Sequence, residues 1–507
     1  MRINGIRRPN PRAPHPGRRI RRAGEFGAVL LLPLLISAAG CVRMENLAAR
    51  TAPSPQTAWI SPPDASAPAV TAPTVTIPPR LDATRDRWTL SDLVDLGLGN
   101  NMQTRIAWSA ARSAAAALGA ARGGYYPKLS VDVNAAKTNG SAVGGRFAYD
   151  YSSLTPSAGL TWLLFDFGGR GGLNEEARQA LVAANWTQNT AIQNIILQVE
   201  QYYYRYLSAK ALLQAQDASL KEAEKNLEAA NARRAAGVAT LADTLQARTA
   251  YSRVQLSLVS TQGLLQILKG TLASAVGLPA NTSFDVADEL PASLPLEQAS
   301  GAMESYIAEA QSKRPDLAAA RALALRAEAH VNTVRSDGLP TLVFNGSLGR
   351  VYYSTPAQGN SFSAAVLLDI PLFRGFTNSY KVLQAESDAE SARAQMRKAE
   401  QDVILQVWTS YSGVRTAAQS IKTAQDLYDA ALQSYQVSLA GYKQGVGSIL
   451  DLLAAQSALE NGRQQIVQSK AQWLMSIVQF AHDTGTLDIP GKIPAGPGPA
   501  AIGRGDR

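Results

Sequence analysis

The chain has a single cysteine, Cys41, in 507 residues, so no intrachain disulfide can form. Its three histidines are His15, His330 and His482, and none has a partner at metal-ligand spacing. No Gly-Lys-Ser/Thr follows the glycine pairs at 144–145 and 168–169, which excludes a phosphate loop. On these patterns no catalytic, metal or cofactor site is expected. Charged residues make up only 18%, few for a soluble helical protein. The net charge of +9 is unevenly placed, because eight arginines precede residue 25. The folded part has no basic stripe of the kind nucleic-acid binding requires. Proline is missing between Pro156 and Pro279, and again between Pro371 and Pro490. Runs of that length without proline predict very long helices.

What is present is a duplication. Gly237-Val238-Ala239-Thr240-Leu241-Ala242-Asp243 is matched by Gly445-Val446-Gly447-Ser448-Ile449-Leu450-Asp451. Glycine, valine, a small residue, a hydroxyl, an aliphatic, an apolar residue and aspartate recur in order. Leu245, Ala247 and Ala250 continue the match with Leu453, Ala455 and Ala458. Such self-similarity decides the fold reading before any domain count. Each copy sits inside a proline-free run and reads as the turn of a long helical hairpin.

The N-terminus reads as a leader. Arginines fill the first residues, Gly27 to Leu35 is apolar, and small residues precede Cys41. The apolar run is too short for a spanning helix. Either Cys41 is the lipidated first residue of a mature lipoprotein, or this is an ordinary secretory signal beside a bystander cysteine. Pro, Ala, Ser and Thr then fill a stretch with no helical or strand period, expected as an extended linker. The boundaries are a signal peptide at 1–40 and a lipid-anchored N-terminal linker at 41–87. A first repeat spans 88–280 and a second 281–489, followed by a disordered tail at 490–507.

Within each repeat the hydrophobic period changes from 3.6 to 2 and back. In the first, helices from Trp88 to about Arg122 stop at Tyr126-Pro127. Strands follow at about 128–165, with Leu129, Val131, Val133 and then Ala158, Leu160, Trp162 alternating around a Gly/Ser-rich loop. In the second, strands fall at about 341–373, through Leu342, Phe344, Leu348, Phe362 and Val366. Tyr125, Tyr126, Tyr149, Tyr151, Trp162 and Phe165 cluster near strand ends, as interfacial girdles do; a small soluble sheet is the alternative. Gly168 to the tip near Gly237, and Gly375 to the tip near Gly445, would each span roughly 100 Å as helix. Rods of that length suit a coiled-coil bundle or a tunnel wall. Four strands per chain cannot close a barrel in lipid, so several copies must share one; twelve strands from three chains and eight from two both remain open.

Leu164-Phe165-Asp166-Phe167-Gly168, Arg314-Pro315-Asp316-Leu317 and the stretch from Ala440 through Tyr442, Gly445 and Asp451 to Leu453 resemble the TolC family of outer-membrane efflux proteins. With Cys41, the similarity is greatest to the lipoprotein branch serving multidrug pumps of the resistance–nodulation–division class. The resemblance covers about 88–489. It implies a mainly α fold with a membrane β-barrel, in which a homotrimer forms a twelve-stranded barrel and a periplasmic helical tunnel. It implies no enzymatic activity, with adaptor proteins of the membrane-fusion class and an inner-membrane pump as partners. By this resemblance Gly237, Val238, Leu241, Gly445, Val446 and Ile449 receive the adaptor, while Asp243, Tyr442 and Asp451 form the periplasmic gate. Gly237 and Gly445 can equally be plain helix caps, and the aspartates solvated helix residues. Gly447 stands where some members carry a gate-bonding arginine, and Ala454 where some carry a second aspartate. An exit duct for type I protein secretion, paired with an ATP-driven transporter, is the alternative within the same family.

Overall fold

The computed structural model describes residues 51–59, 87–142, 144–287, 289–291, 302–354 and 357–487. The expected signal peptide, Cys41 and the tail at 490–507 lie outside them. Two copies of one unit follow in order. The first is β1 (Arg87–Trp88), α1 (Leu90–Asn100), α2 (Met102–Gly123), β2 (Lys128–Ala142), β3 (Phe147–Phe165), α3 (Gly169–Ala235) and α4 (Leu241–Ala275). The second is β4 (Asp285–Val286), α5 (Met303–Lys313), α6 (Pro315–Ser336), β5 (Thr341–Tyr353), β6 (Gln358–Asp369), α7 (Thr377–Gln444) and α8 (Ile449–Asp483). The short pair β1–β4 and helix α5 were not legible as elements in the sequence.

The long helices α3 and α7 have 67 and 68 residues, roughly 100 Å each. Their return helices α4 and α8 have 35 each and cover only the half nearer the turns. Two short helices per repeat complete the other half, and the joints are built alike. Asn101, the N-cap of α2, donates from Nδ2 to the Ala275 carbonyl at the end of α4, 3.0 Å. Arg314, the N-cap of α6, donates from Nη1 to the Asp483 carbonyl at the end of α8, 3.2 Å. Glycines in left-handed conformation, Gly277 and Gly485, pass against the opposing backbone where a Cβ would collide. Arg314 is buried and also paired with Asp316 at 2.6 Å, so the Arg-Pro-Asp-Leu motif serves this joint. The largest core lies beside the first joint, where Leu93, Val94, Ile196, Val199, Leu272, Val276 and Val286 meet.

All four long strands join one antiparallel sheet in the order β2-β3-β5-β6, with β3–β5 crossing between repeats. The strands are longer than the sequence suggested, because the ladder continues through the Gly/Ser-rich stretch to Ala142 opposite Phe147. Residues opposite one another share a face. Leu129 pairs with Leu160, which pairs with Gly346; Val131 pairs with Ala158, then Leu348, then Phe362; Trp162 pairs with Phe344, then Val366. That face is apolar across both repeats and exposed, with Leu129 at 78% and Phe362 at 77%. The opposite face carries Ser130, Asp132, Asn134, Ser157, Thr161, Asn345, Ser347 and Ser363. A register shift after Leu163 brings Phe165 opposite Leu342, on the apolar side. Tyr149 and Tyr151 alternate onto the polar side instead, where Tyr151 meets Tyr353 edge-to-face at 5.4 Å. Of the strand aromatics expected at a girdle, Trp162 and Phe165 lie on the apolar face. No helix among the described residues is long and apolar enough to cross a membrane.

Residues 51–59, expected as part of an extended linker, are held against the helices. Asn189 accepts from the Trp59 amide and donates to the Trp59 carbonyl, each at 2.7 Å, while Trp108 Nε1 donates to the Ala52 carbonyl at 2.9 Å. Trp59 meets Trp186 edge-to-face at 5.3 Å.

Candidate functional site

Each long helix ends in a Schellman motif. Val238 and Gly237 donate to the carbonyls of Arg233 and Arg234; Val446 and Gly445 donate to those of Gly441 and Tyr442. The motif needs a left-handed residue, and glycine supplies it at φ 75° and 81°. A capping box then opens each return helix. Asp243 accepts from the Thr240 amide at 2.8 Å while its own amide donates to Thr240 Oγ1 at 3.2 Å. Asp451 accepts from Ser448 Oγ at 2.7 Å while its amide donates to the same oxygen at 3.2 Å. The hydroxyl and aspartate of the repeated motif are thus explained locally: both start a helix.

The structure separates the six expected docking residues. Gly237, Val238, Leu241, Gly445 and Val446 are exposed, with Val446 at 82%. Ile449 is 5% exposed and packs with Tyr442, Leu452 and Leu459, so it belongs to the core of the second turn. The aliphatic side chain offered there is Leu450, one residue on, which is exposed. Helical phase sets which of the two is buried. Leu245, Ala250, Leu450 and Leu453 line a groove of about 550 Å³ between α4 and α8, with Arg253 and Glu460 farther up. Burial holds the Glu460 carboxyl above the usual carboxylate range, opposed by Arg253 and Arg463.

Of the expected gate residues, Asp243 is half-buried and Asp451 exposed, while Tyr442 is buried at 4%. Burial raises the Tyr442 phenol, with Arg233 opposing and Asp243 adding. Arg233 is the residue sequence reasoning missed. It reaches across from the first hairpin, donating from Nη1 to the Tyr442 carbonyl at 2.7 Å with its guanidinium 4.8 Å from the ring centre. The duplication hid it, because its counterpart in the second copy is Gly441.

Above the turns the two hairpins meet through polar side chains. Arg463 on α8 donates to both Glu222 oxygens at 2.7 and 2.8 Å and to Ser219 at 2.9 Å. Buried Asn226 donates to Gln456 at 2.7 Å and to the Tyr435 hydroxyl at 3.4 Å. Ser219, Asn226 and Arg233 lie at seven-residue intervals on α3, as coiled-coil seam positions do.

Paired rods of this length, fused to a sheet that exposes one continuous apolar face, define a membrane-embedded channel subunit rather than an enzyme. The chain belongs to the outer membrane efflux protein family, whose profile matches residues 93–278 and 306–486, one segment per repeat. The family consists of outer-membrane channels, not enzymes. Among curated relatives, protein CyaE of Bordetella pertussis is 26% identical over 438 residues, covering 85% of this chain and 90% of CyaE. Outer membrane protein TolC of Salmonella enteritidis is 24% identical over 385 residues, covering 73% and 76%. A crystal structure of a membrane protein from Pseudomonas aeruginosa superposes with a TM-score of 0.73 at 22% identity, covering 78% of this chain and 93% of that one.

Proposed function

We propose that three copies of this chain form an outer-membrane exit duct for small molecules, receiving cargo through a periplasmic adaptor from an inner-membrane pump. The observation that carries this reading is the sheet. Its apolar face is in register across both repeats, while β2 and β6 leave open edges. From Leu154 to Trp162 the apolar band runs roughly 26 Å along β3, or roughly 20 Å once tilted by about 40°. Toward the hairpin loops Lys137, Asp150 and Arg350 occupy the same face, with Lys137 and Asp150 paired at 3.8 Å. An apolar band ending in charge suits lipid. An open edge in lipid costs several kcal/mol per unpaired backbone group, so closure requires other copies. Twelve strands from three copies close one barrel, and the rods of the same copies close the tunnel below it.

At the far end, Val238, Leu241, Val446 and Leu450 form an exposed apolar rim beside the groove between α4 and α8. That rim is the docking surface for the adaptor's helical hairpin. Asp243, Asp451 and Tyr442 close the end until it docks. Cys41 carries the lipid anchor. The chain from Cys41 to Ala52 can span at most roughly 40 Å, which exceeds the roughly 23 Å of helix between Trp108 and the end of α2. The resistance–nodulation–division class supplies the pump.

Purification with the native membrane tests this reading. A heat-modifiable trimer that conducts in planar bilayers and co-purifies with an adaptor and a proton-driven pump is the expected result. An ATP-binding transporter in that pump's place would assign the duct to type I secretion. A water-soluble monomer would remove the channel altogether. Loss of fatty-acid labelling in Cys41→Ser checks the anchor.

A further inference from the structure

We infer that Arg233 is the clasp that holds the two hairpin turns of one protomer together, and that it works through the ring face and backbone carbonyl of Tyr442 rather than through the tyrosine hydroxyl. The inference rests on the reading of these turns as the closed end of the duct.

Three observations carry it. The first is geometric. Arg233 lies in the last turn of α3, and the carbonyl it meets lies in the last turn of α7. Both helices run toward the turns, so two helix C-termini, each with partial negative charge, come side by side. One guanidinium between them offsets that repulsion at both ends. Its guanidinium carbon also lies over the Tyr442 ring, 4.8 Å from the ring centre.

The second concerns the atoms left over. The Tyr442 hydroxyl is buried with no hydrogen-bond partner among the described residues. The contact therefore does not use the phenol. Gly447, on the second turn, has no side chain with which to hold the first hairpin; a Cβ there would meet the Gly441 carbonyl carbon at 3.1 Å. The cation is supplied from the opposite hairpin instead.

The third is position along the seam. Arg463 with Glu222, then Asn226 with Gln456, then Arg233 with Tyr442 form three successive polar layers between the hairpins. Buried polar layers in a coiled-coil seam fix register. Arg233 is the last of them before the turn. Parting of the turns must break this contact first, while the two layers above keep the hairpins aligned.

The test uses full-length protein with the trimer checked on heat-modified gels. Arg233→Ala should raise the closed-state conductance at least fivefold. It should also speed amide exchange at residues 441–447 at least tenfold by mass spectrometry. Arg233→Lys keeps the charge but not the planar fork, and should fall between Arg233→Ala and wild type. Tyr442→Phe removes only the unpartnered hydroxyl, so amide exchange at 441–447 should stay within twofold of wild type. Wild-type exchange at 441–447 in Arg233→Ala would overturn the clasp even in a chain that failed to conduct. Exchange at 441–447 as fast in Tyr442→Phe as in Arg233→Ala would overturn the assignment to ring and carbonyl. A wild-type trimer that never conducts, with exchange at the turn still accelerated in Arg233→Ala, would instead count against the duct and leave the clasp standing.

Discussion

α3 and α7 descend from equivalent phenylalanine–glycine junctions to equivalent turns, and their sequences align at a constant offset between Phe165 and Gly237. They bury different surfaces. α7 buries one stripe at three- and four-residue steps, through Val403, Val407, Ser410, Val414, Ala417, Ile421 and Ala424, as a coiled-coil partner does. α3 keeps such a stripe only toward its turn; nearer the sheet it is enclosed by α2 and α6. Matched positions show the consequence. Gly172 lies against the backbone of Thr333, while its counterpart Tyr380 is 71% exposed. Glu200 is 5% exposed, while its counterpart Trp408 is 58% exposed. The short helices diverge too. α2 buries Ala111, Ala115 and Leu118, whereas α6 is laced to α7 by Arg321–Glu400, Arg393–Glu328 and Arg335–Glu386, seven residues apart on both helices. Duplication supplies two rods, but only one can stand in the middle of the protomer. The other turns Leu383, Leu405, Trp408 and Val437 outward, toward neighbouring copies in the proposed trimer.

The contrast is broken most severely at Gly172. A Cβ there would sit 2.8 Å from the Thr333 amide nitrogen, so backbone must move. Gly172→Tyr, which installs the second repeat's residue in the first, should cost about 3 kcal/mol or more by overpacking. Tyr380→Gly should cost only about 1 kcal/mol, the helix propensity of glycine. Denaturation of the two variants checks this, and equal losses would mean that the two rods are not distinct in the way described.

Glu200 gives a smaller effect with a pH signature. Burial lifts its carboxyl from 4.5 to about 7. A raised carboxylate pKa costs nothing below the unfolded value, where both states are protonated. The penalty grows as pH climbs from about 4.5 and is complete above about 7. Glu200→Gln should therefore add up to about 3 kcal/mol at pH 8 and leave stability at pH 4 unchanged. A gain that did not vary with pH would show that packing, not charge, set the effect.

The repeat, the hairpin turns, the strand pairs and the ends of all four rods were legible, because each rests on local signals: proline spacing, glycine, capping residues and hydrophobic period. Contacts between repeats were not. Asn101 and Arg314 build equivalent joints from unlike side chains, so sequence matching could not pair them. Arg233 has glycine as its counterpart, so the duplication does not mark it. Ile449 and Leu450 are neighbours of similar chemistry, and only the phase of α8 shows which is buried. The two turns were thus legible as places in the chain before the contacts of their side chains were.

The finest comparison is between the two turns themselves, and it separates two roles of one side chain. Asp243 and Asp451 both complete capping boxes, yet both stand where the family resemblance implies a gate. Thr240→Ala and Ser448→Ala remove the cap hydroxyls and should each cost about 1 kcal/mol or less. Asp451→Asn keeps an oxygen that can accept from the Ser448 amide, so the helix start should survive. It removes the charge, and with it the ring of three like charges the proposed trimer would place at its closed end. If capping is the whole role, Asp451→Asn should conduct and respond to cations as wild type does, while Ser448→Ala frays the start of α8. If the ring matters, Asp451→Asn should weaken cation block at the closed end with the helix intact, and Ser448→Ala should leave block unchanged. Asp243→Asn provides the internal control. Asp243 is half-buried where Asp451 is exposed, so its charge is less accessible to a cation in the pore, and the change in block should be the smaller of the two.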